Sequence, residues 1–131
     1  MSSREAPILS SPSGVVARIP PSLRRARKEH FLAFYLNARG GLLHQETVSI
    51  GTLTQSLVHP REVFYPAIVH GACSVIVLHN HPSGDATPSQ EDVRTTERLK
   101  EAGRLLGIPI EDHLIVSDSG FFSFREKGLL P

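Results

Sequence analysis

The chain has 131 residues, with 14 Lys and Arg against 13 Asp and Glu, a formal net charge of +1. That length suits one core rather than two, and no apolar run is long enough to span a bilayer. The single cysteine, Cys73, excludes an internal disulfide and any Cys-rich zinc site, so a metal here must be held by imidazole and carboxylate.

Residues 1–10 are small, polar and without period, and are expected to be a disordered tail ahead of a domain spanning 11–131. They lack the apolar core of a signal peptide, which points to a cytoplasmic protein. Ser11-Pro12 predicts a helix start and Pro20-Pro21 its stop, after which Ser22 is placed to cap a second short helix to about Lys28. Charge is uneven. Residues 1–28 hold six basic side chains and one acidic, concentrated in SLRRARK. Arg24, Arg25, Arg27 and Lys28 could touch phosphates, but the run is short and has no aromatic residue to stack on bases. A solvated face is the preferred reading, with at most weak nucleic-acid binding.

His30–Leu36 (HFLAFYL) is apolar throughout, as in a strand covered on both faces. A turn at 37–41 and a second strand, Leu42–Ile50, complete a hairpin. Gly51–Val58 reads as irregular. From Pro60, Val63, Phe64, Ala67 and Ile68 recur at helical spacing up to Gly71. Cys73–His79 (CSVIVLH) is short, β-branched and apolar on both faces, which predicts a central strand, with Cys73 as a small core residue. NHPSGDATP is a loop. Ser89–Leu106 is the longest helix, stopped by Gly107, and Leu114–Ser117 and Phe121–Phe124 are two further strands. Together these predict an α/β (α+β) fold, a mixed sheet with Cys73–Leu78 inside it and the helix from Ser89 against one face.

His79 and His81 end the most buried strand two residues apart, so their side chains share a direction if the strand continues. Asp92 opens the next helix, one turn after Ser89. Two imidazoles and one carboxylate leave a fourth tetrahedral position open, the ligand count of a catalytic zinc. Each half has a bland reading: loop chemistry for the His pair, a capping box for Ser89 and Asp92. The combination of His79, His81, Pro82, Ser89 and Asp92 is much more specific than either half. His113, beside its strand, could stand behind the metal ligands, but a surface position is the preferred reading; His44, His59 and His70 have no partner spacing and read as surface residues, and Ser83 and Asp85 could contact substrate, though turn formation explains them.

This pattern resembles the JAMM (MPN+) motif of zinc metalloproteases and deubiquitinase-type isopeptidases. The stretches GTLTQSLVHPREVF, LHNHPSGDATPSQED and EDHLIVSD are similar to the bacterial RadC branch, whose name derives from DNA repair. The resemblance implies a cytidine-deaminase-like, JAB/MPN-type three-layer sandwich. It also implies one Zn2+ per chain on His79, His81 and Asp92, and hydrolysis of amide bonds in a protein or peptide. It further implies a general base upstream of a hydrophobic strand. Glu29 in KEHFLAFYL matches that position, with Glu46 and Glu62 as competitors, and Ser89 is implied to stabilise the oxyanion. Asn80 stands where eukaryotic isopeptidases usually carry Ser or Thr. Full-length RadC-like proteins usually begin with a helical domain resembling a DNA-binding helix-hairpin-helix; nothing here matches it, so a truncated member or a fragment is expected. The alternatives are a binding or scaffolding module and a DNA-repair factor. A zinc deaminase would need a C-x-x-C pair, and the chain has one cysteine.

Overall fold

A computed structural model describes residues 7–51 and 58–130. Five strands form one mixed sheet: β1 Glu29–Leu36, β2 Leu42–Gly51, β3 Ser74–Asn80, β4 Ile110–Ser117 and β5 Gly120–Ser123, in the order β2-β1-β3-β4-β5. Four helices accompany them: α1 Pro12–Val16, α2 Pro21–Arg24, α3 Pro60–Val69 and α4 Gln90–Leu106. β3 is central, antiparallel to β1 and parallel to β4. A parallel pair needs a long crossover, and α4 supplies it.

Both faces of the sheet are covered, which explains why HFLAFYL does not alternate in polarity. Side chains of a strand point alternately to opposite faces. Phe31, Ala33 and Tyr35 of β1 pack with Val63, Phe64 and Ala67 of α3 and Leu99 of α4. Leu32, Phe34 and Leu36 pack instead with Leu9, Val15 and Ile19. The result is the expected sandwich, with β3 inside it and all seven of its residues buried.

Several local expectations need correction. Residues 7–10 are not a structureless tail: Ile8 bridges Gly41, Leu9 N–H donates to the Gly40 carbonyl at 2.9 Å, and Leu9 is buried in the second core. The segment borrows its order from the hairpin turn, which no local period could reveal. Residues 1–6, and most of the stretch read as irregular (52–57), lie outside the described residues. Ser22 does not cap α2 but lies within it: the cap position is Pro20, which makes no side-chain cap hydrogen bond, and the helix ends at Arg24. Cys73 is exposed, one residue ahead of β3, and Ile68 is 60% exposed on the outer face of α3.

The approach of α4 to its neighbours depends on Gly103. A Cβ there would meet the Ile108 carbonyl oxygen at 2.5 Å and Phe64 Cζ at 3.2 Å. A backbone oxygen cannot swing aside as a side chain can. Ala gains about 1 kcal/mol of helix propensity over Gly, but overpacking of this kind costs about 1–3 kcal/mol. Gly103→Ala is therefore expected to lower the thermal midpoint by several degrees; an unchanged or raised midpoint would show that the Ile108 backbone and Phe64 give way without cost.

Candidate metal centre

The site is built at the end of β3. His79 is fully buried on the α4 side of the sheet, its ring stacked on Phe31 with centroids 5.9 Å apart. His81 follows the strand, its N–H bonded to the Val116 carbonyl. Its Nδ1 lies 2.8 Å from the Asp85 carbonyl oxygen. A carbonyl only accepts, so Nδ1 carries a proton, and Nε2 faces Asp92 Oδ2 at 3.0 Å, where it can take a second proton or a metal ion.

Asp92 is aimed by the start of α4. Ser89 Oγ accepts the Asp92 N–H at 3.1 Å, and Asp92 Oδ2 accepts the Ser89 N–H at 2.8 Å. The capping box, the bland reading of these two residues, is thus present, and it orients the carboxylate. Asp92 Oδ1 stands 3.2 Å from His79 Nε2. Glu29 opens β1, the antiparallel neighbour of β3 in which Phe31 sits opposite His79. One ligand atom each from Glu29, His79 and His81 lies within 4.8 Å of the others. The structure therefore brings Glu29, His79, His81 and Asp92 together. Ser89 sits exposed at the rim, its hydroxyl proton still available beyond the cap. Glu46 is paired with His44 at 2.8 Å, and His44 stacks on His70, so those two histidines do have partners.

Burial pushes the Asp92 carboxyl up, but the His79 and His81 imidazoles and the Ser89 N–H outweigh it and hold the group well below the usual carboxylate range. The Asp92 carboxylate raises His81 against the opposing effect of its burial.

Two contributors carry more than their sequence reading gave them. His113 is no surface residue. β4 begins at Ile110 rather than Leu114, so His113 is mid-strand and fully buried, stacked on Phe124 with Nε2 2.8 Å from His79 Nδ1. The signal lay in EDHLIVS, whose apolar run is extended by one alternating position to include it. Asn80 is the second. Its Oδ1 accepts the His30 N–H at 2.6 Å, and its Nδ2 donates to the Ala26 and Lys28 carbonyls. These bonds pin the segment that delivers Glu29. Ser or Thr, with one hydroxyl proton, could not serve both carbonyls.

Burial, with the neighbouring His79 adding to it, pushes His113 well below the ordinary imidazole value. The native state then binds fewer protons than the unfolded chain below about pH 6.5. This residue's contribution to stability is complete above that pH and declines on acidification, by up to about 1.4 kcal/mol per pH unit, until its native value is reached. Urea unfolding at pH 7.5 and 5.5 is expected to show a smaller loss for His113→Gln than for wild type. Equal losses would mean that His113 is not held neutral.

The centre fits a metal ion. Among the described residues, His79 Nε2 is the buried side-chain nitrogen or oxygen that lacks a hydrogen-bond partner. Its 3.2 Å approach to Asp92 does not supply one. Such a group is costly unless something occupies it. Imidazole nitrogens and carboxylate oxygens are donors that zinc and other first-row divalent ions accept. The Glu29, His79 and His81 cluster can hold such an ion.

A profile of the RadC-like JAB domain matches residues 9–129. The chain belongs to the RadC-like JAB family. This JAB domain is 50% identical over 123 residues to a UPF0758 protein of Desulforamulus reducens, covering 94% of this chain and 54% of that protein. A UPF0758 protein of Geobacillus sp. (strain WCH70) is 48% identical over 121 residues (92% and 54% coverage). One from Methanosarcina mazei is 47% identical over 122 residues (93% and 53%). The chain spans about half the length of the curated relatives it matches. No helix among the described residues is long and apolar enough to cross a membrane.

Proposed function

We propose that this JAB domain is a zinc-dependent hydrolase of amide bonds, of the metallopeptidase or isopeptidase type, acting on a protein or peptide. The observation that carries this reading is the buried, unpartnered Nε2 of His79, set beside the Asp92 carboxylate and within reach of His81 and Glu29. In this reading His79, His81 and Asp92 hold one Zn2+, the three protein ligands of a catalytic site. Bound there, the ion would lower the pKa of a coordinated water to about 7 and polarise a scissile carbonyl.

The chain's own groups do the rest. Asp92 is the third ligand because its carboxylate is fixed by the capping box and spans both imidazoles. Glu29, half-buried on a different strand, accepts the proton of the attacking water and returns it to the leaving amine. Ser89 donates a hydrogen bond to the carbonyl oxygen as that oxygen becomes anionic; loss of one such donor typically costs about 2.7–4 kcal/mol of transition-state stabilisation. The test is elemental mass spectrometry on protein purified without chelator, beside a screen of peptide and isopeptide substrates. Stoichiometric zinc with hydrolysis supports the reading. A chain that takes up no zinc overturns it and leaves the fold as a binding or scaffolding module.

The reading also includes only weak nucleic-acid contact through Arg24, Arg25, Arg27 and Lys28. Arg24 Nε donates to the Ser117 carbonyl at 3.0 Å, and Arg25 lies 4.0 Å from Asp118. Half of the cluster thus has a partner within the fold. Two to four phosphate contacts give a salt slope of about −2 to −4 in log affinity against log salt. Fluorescence polarisation with duplex DNA is expected to show binding only at low salt. Sequence-specific binding at physiological salt would sink this and favour a DNA-directed role.

A further inference from the structure

We propose that His113 and Thr96 form a relay that keeps a proton on His79 Nδ1 and so turns the bare Nε2 of His79 toward the metal; His113 is a positioning residue for the centre. The proposal rests on the metal reading above and extends it to two residues outside the ligand set.

The direction of the relay follows from counting protons. Thr96 Oγ1 has one proton and two neighbours: the Asp92 backbone carbonyl at 2.8 Å and His113 Nδ1 at 2.5 Å. The carbonyl can only accept. If the hydroxyl proton pointed at His113, two oxygens would face each other at 2.8 Å with no hydrogen between them. The proton therefore goes to the carbonyl, and Thr96 Oγ1 accepts from His113, which places a hydrogen on His113 Nδ1.

His113 is fully buried, with the face of Phe124 against its ring and the edge of Phe31 beside it. Its ring nitrogens contact Thr96 and His79, neither of them a carboxylate, so no counter-charge touches the ring and burial disfavours its charged form. A neutral ring with its hydrogen on Nδ1 has a bare Nε2. That nitrogen lies 2.8 Å from His79 Nδ1 and must accept from it. His79 Nδ1 is thereby held as a donor, and the free end of the ring is the Nε2 that lacks a hydrogen-bond partner beside Asp92. His81 reaches the same arrangement through a backbone carbonyl, Asp85. Metal-binding histidines generally need such a partner to fix ring and tautomer, and its loss commonly costs 10–100-fold in metal affinity. In His79 the partner is another histidine, and Thr96 on α4 sets the direction. The helix that carries Asp92 thus also fixes His79.

Two measurements test this. The first is histidine tautomer assignment by 15N-labelled NMR on metal-free wild-type protein at pH 7.5. A proton on Nδ1 of both His79 and His113, with His113 Nε2 bare, supports the relay; a bare His79 Nδ1 overturns it. The second is zinc affinity by competition with a chromophoric chelator. His113→Leu, which removes the acceptor, is expected to weaken binding by about 10–100-fold. His113→Gln, whose amide can accept from His79 and donate to Thr96, is expected to restore most of it. A folded His113→Leu protein with wild-type affinity overturns the proposal. If the leucine variant does not fold, Thr96→Val removes the hydroxyl at nearly constant shape: weaker zinc binding supports the relay, and unchanged affinity overturns it. A wild type that takes up no zinc fails the metal reading. A zinc-binding wild type with the opposite His79 tautomer fails the relay alone.

Discussion

Glu29→Gln is expected to keep its zinc and to lose hydrolysis by roughly 10²–10⁴-fold, the usual share of acid–base catalysis. The amide matches the carboxylate in size but cannot take a proton from water. Metal should stay because His79 and His81 come from the end of β3 and Asp92 from α4, while Glu29 is brought from β1. Zinc per chain by mass spectrometry, beside initial rates on the same preparations, checks both halves. Glu29 is close enough to the imidazoles to be a ligand itself. A variant that loses zinc would make it one, and the base would then be sought at Glu46 or Glu62. Full activity would dismiss Glu29 from the chemistry altogether.

Asp92→Asn is expected to reduce bound zinc to a trace and to lose hydrolysis with it. Asparagine can still accept the Ser89 N–H, so the start of α4 is preserved and the loss is one of charge between two imidazoles. The same substitution has a signature without metal. Because the native Asp92 carboxyl is held below its unfolded value of about 3.9, its stabilising contribution is complete above that pH and is lost as pH falls toward the native value. Metal-free wild type is therefore expected to lose stability more steeply than Asp92→Asn between pH 5 and 3, followed by urea unfolding. Wild-type zinc content in the variant would remove Asp92 from the ligand set.

What could be read from the residues alone was what local chemistry dictates. β1 and β3 announced themselves because strands covered on both faces carry apolar residues at every position. The pairing of His79 and His81 with Ser89 and Asp92 stood out because a strand end and a helix start separated by a Gly- and Pro-containing loop can fold back on each other. What escaped depends on partners remote in sequence. Leu9 is covered because Ile8 finds Gly41, and His113 is buried by Phe31, Phe124 and Thr96. The role of Asn80 needs the carbonyls of residues 26 and 28, about fifty positions away. Cys73 failed in the other direction: its apolar company continues into β3, but it lies one residue outside the strand, where its N–H already pairs with Leu36.

The seating of β1 beside β3 has a consequence for how this protein is assayed. His79, His81 and Asp92 lie within one strand–loop–helix passage, whereas Glu29 arrives only when β1 docks with Phe31 opposite His79. A one-residue slip of that strand would send Phe31, Ala33 and Tyr35 to the wrong face and displace Glu29, while leaving the passage from β3 to α4 intact. Misassembled molecules would then be loaded but inert. Such molecules count equally in moles of metal and in moles of chain, so neither normalisation separates them from active enzyme, and the active fraction of a preparation has to be counted by an active-site titrant.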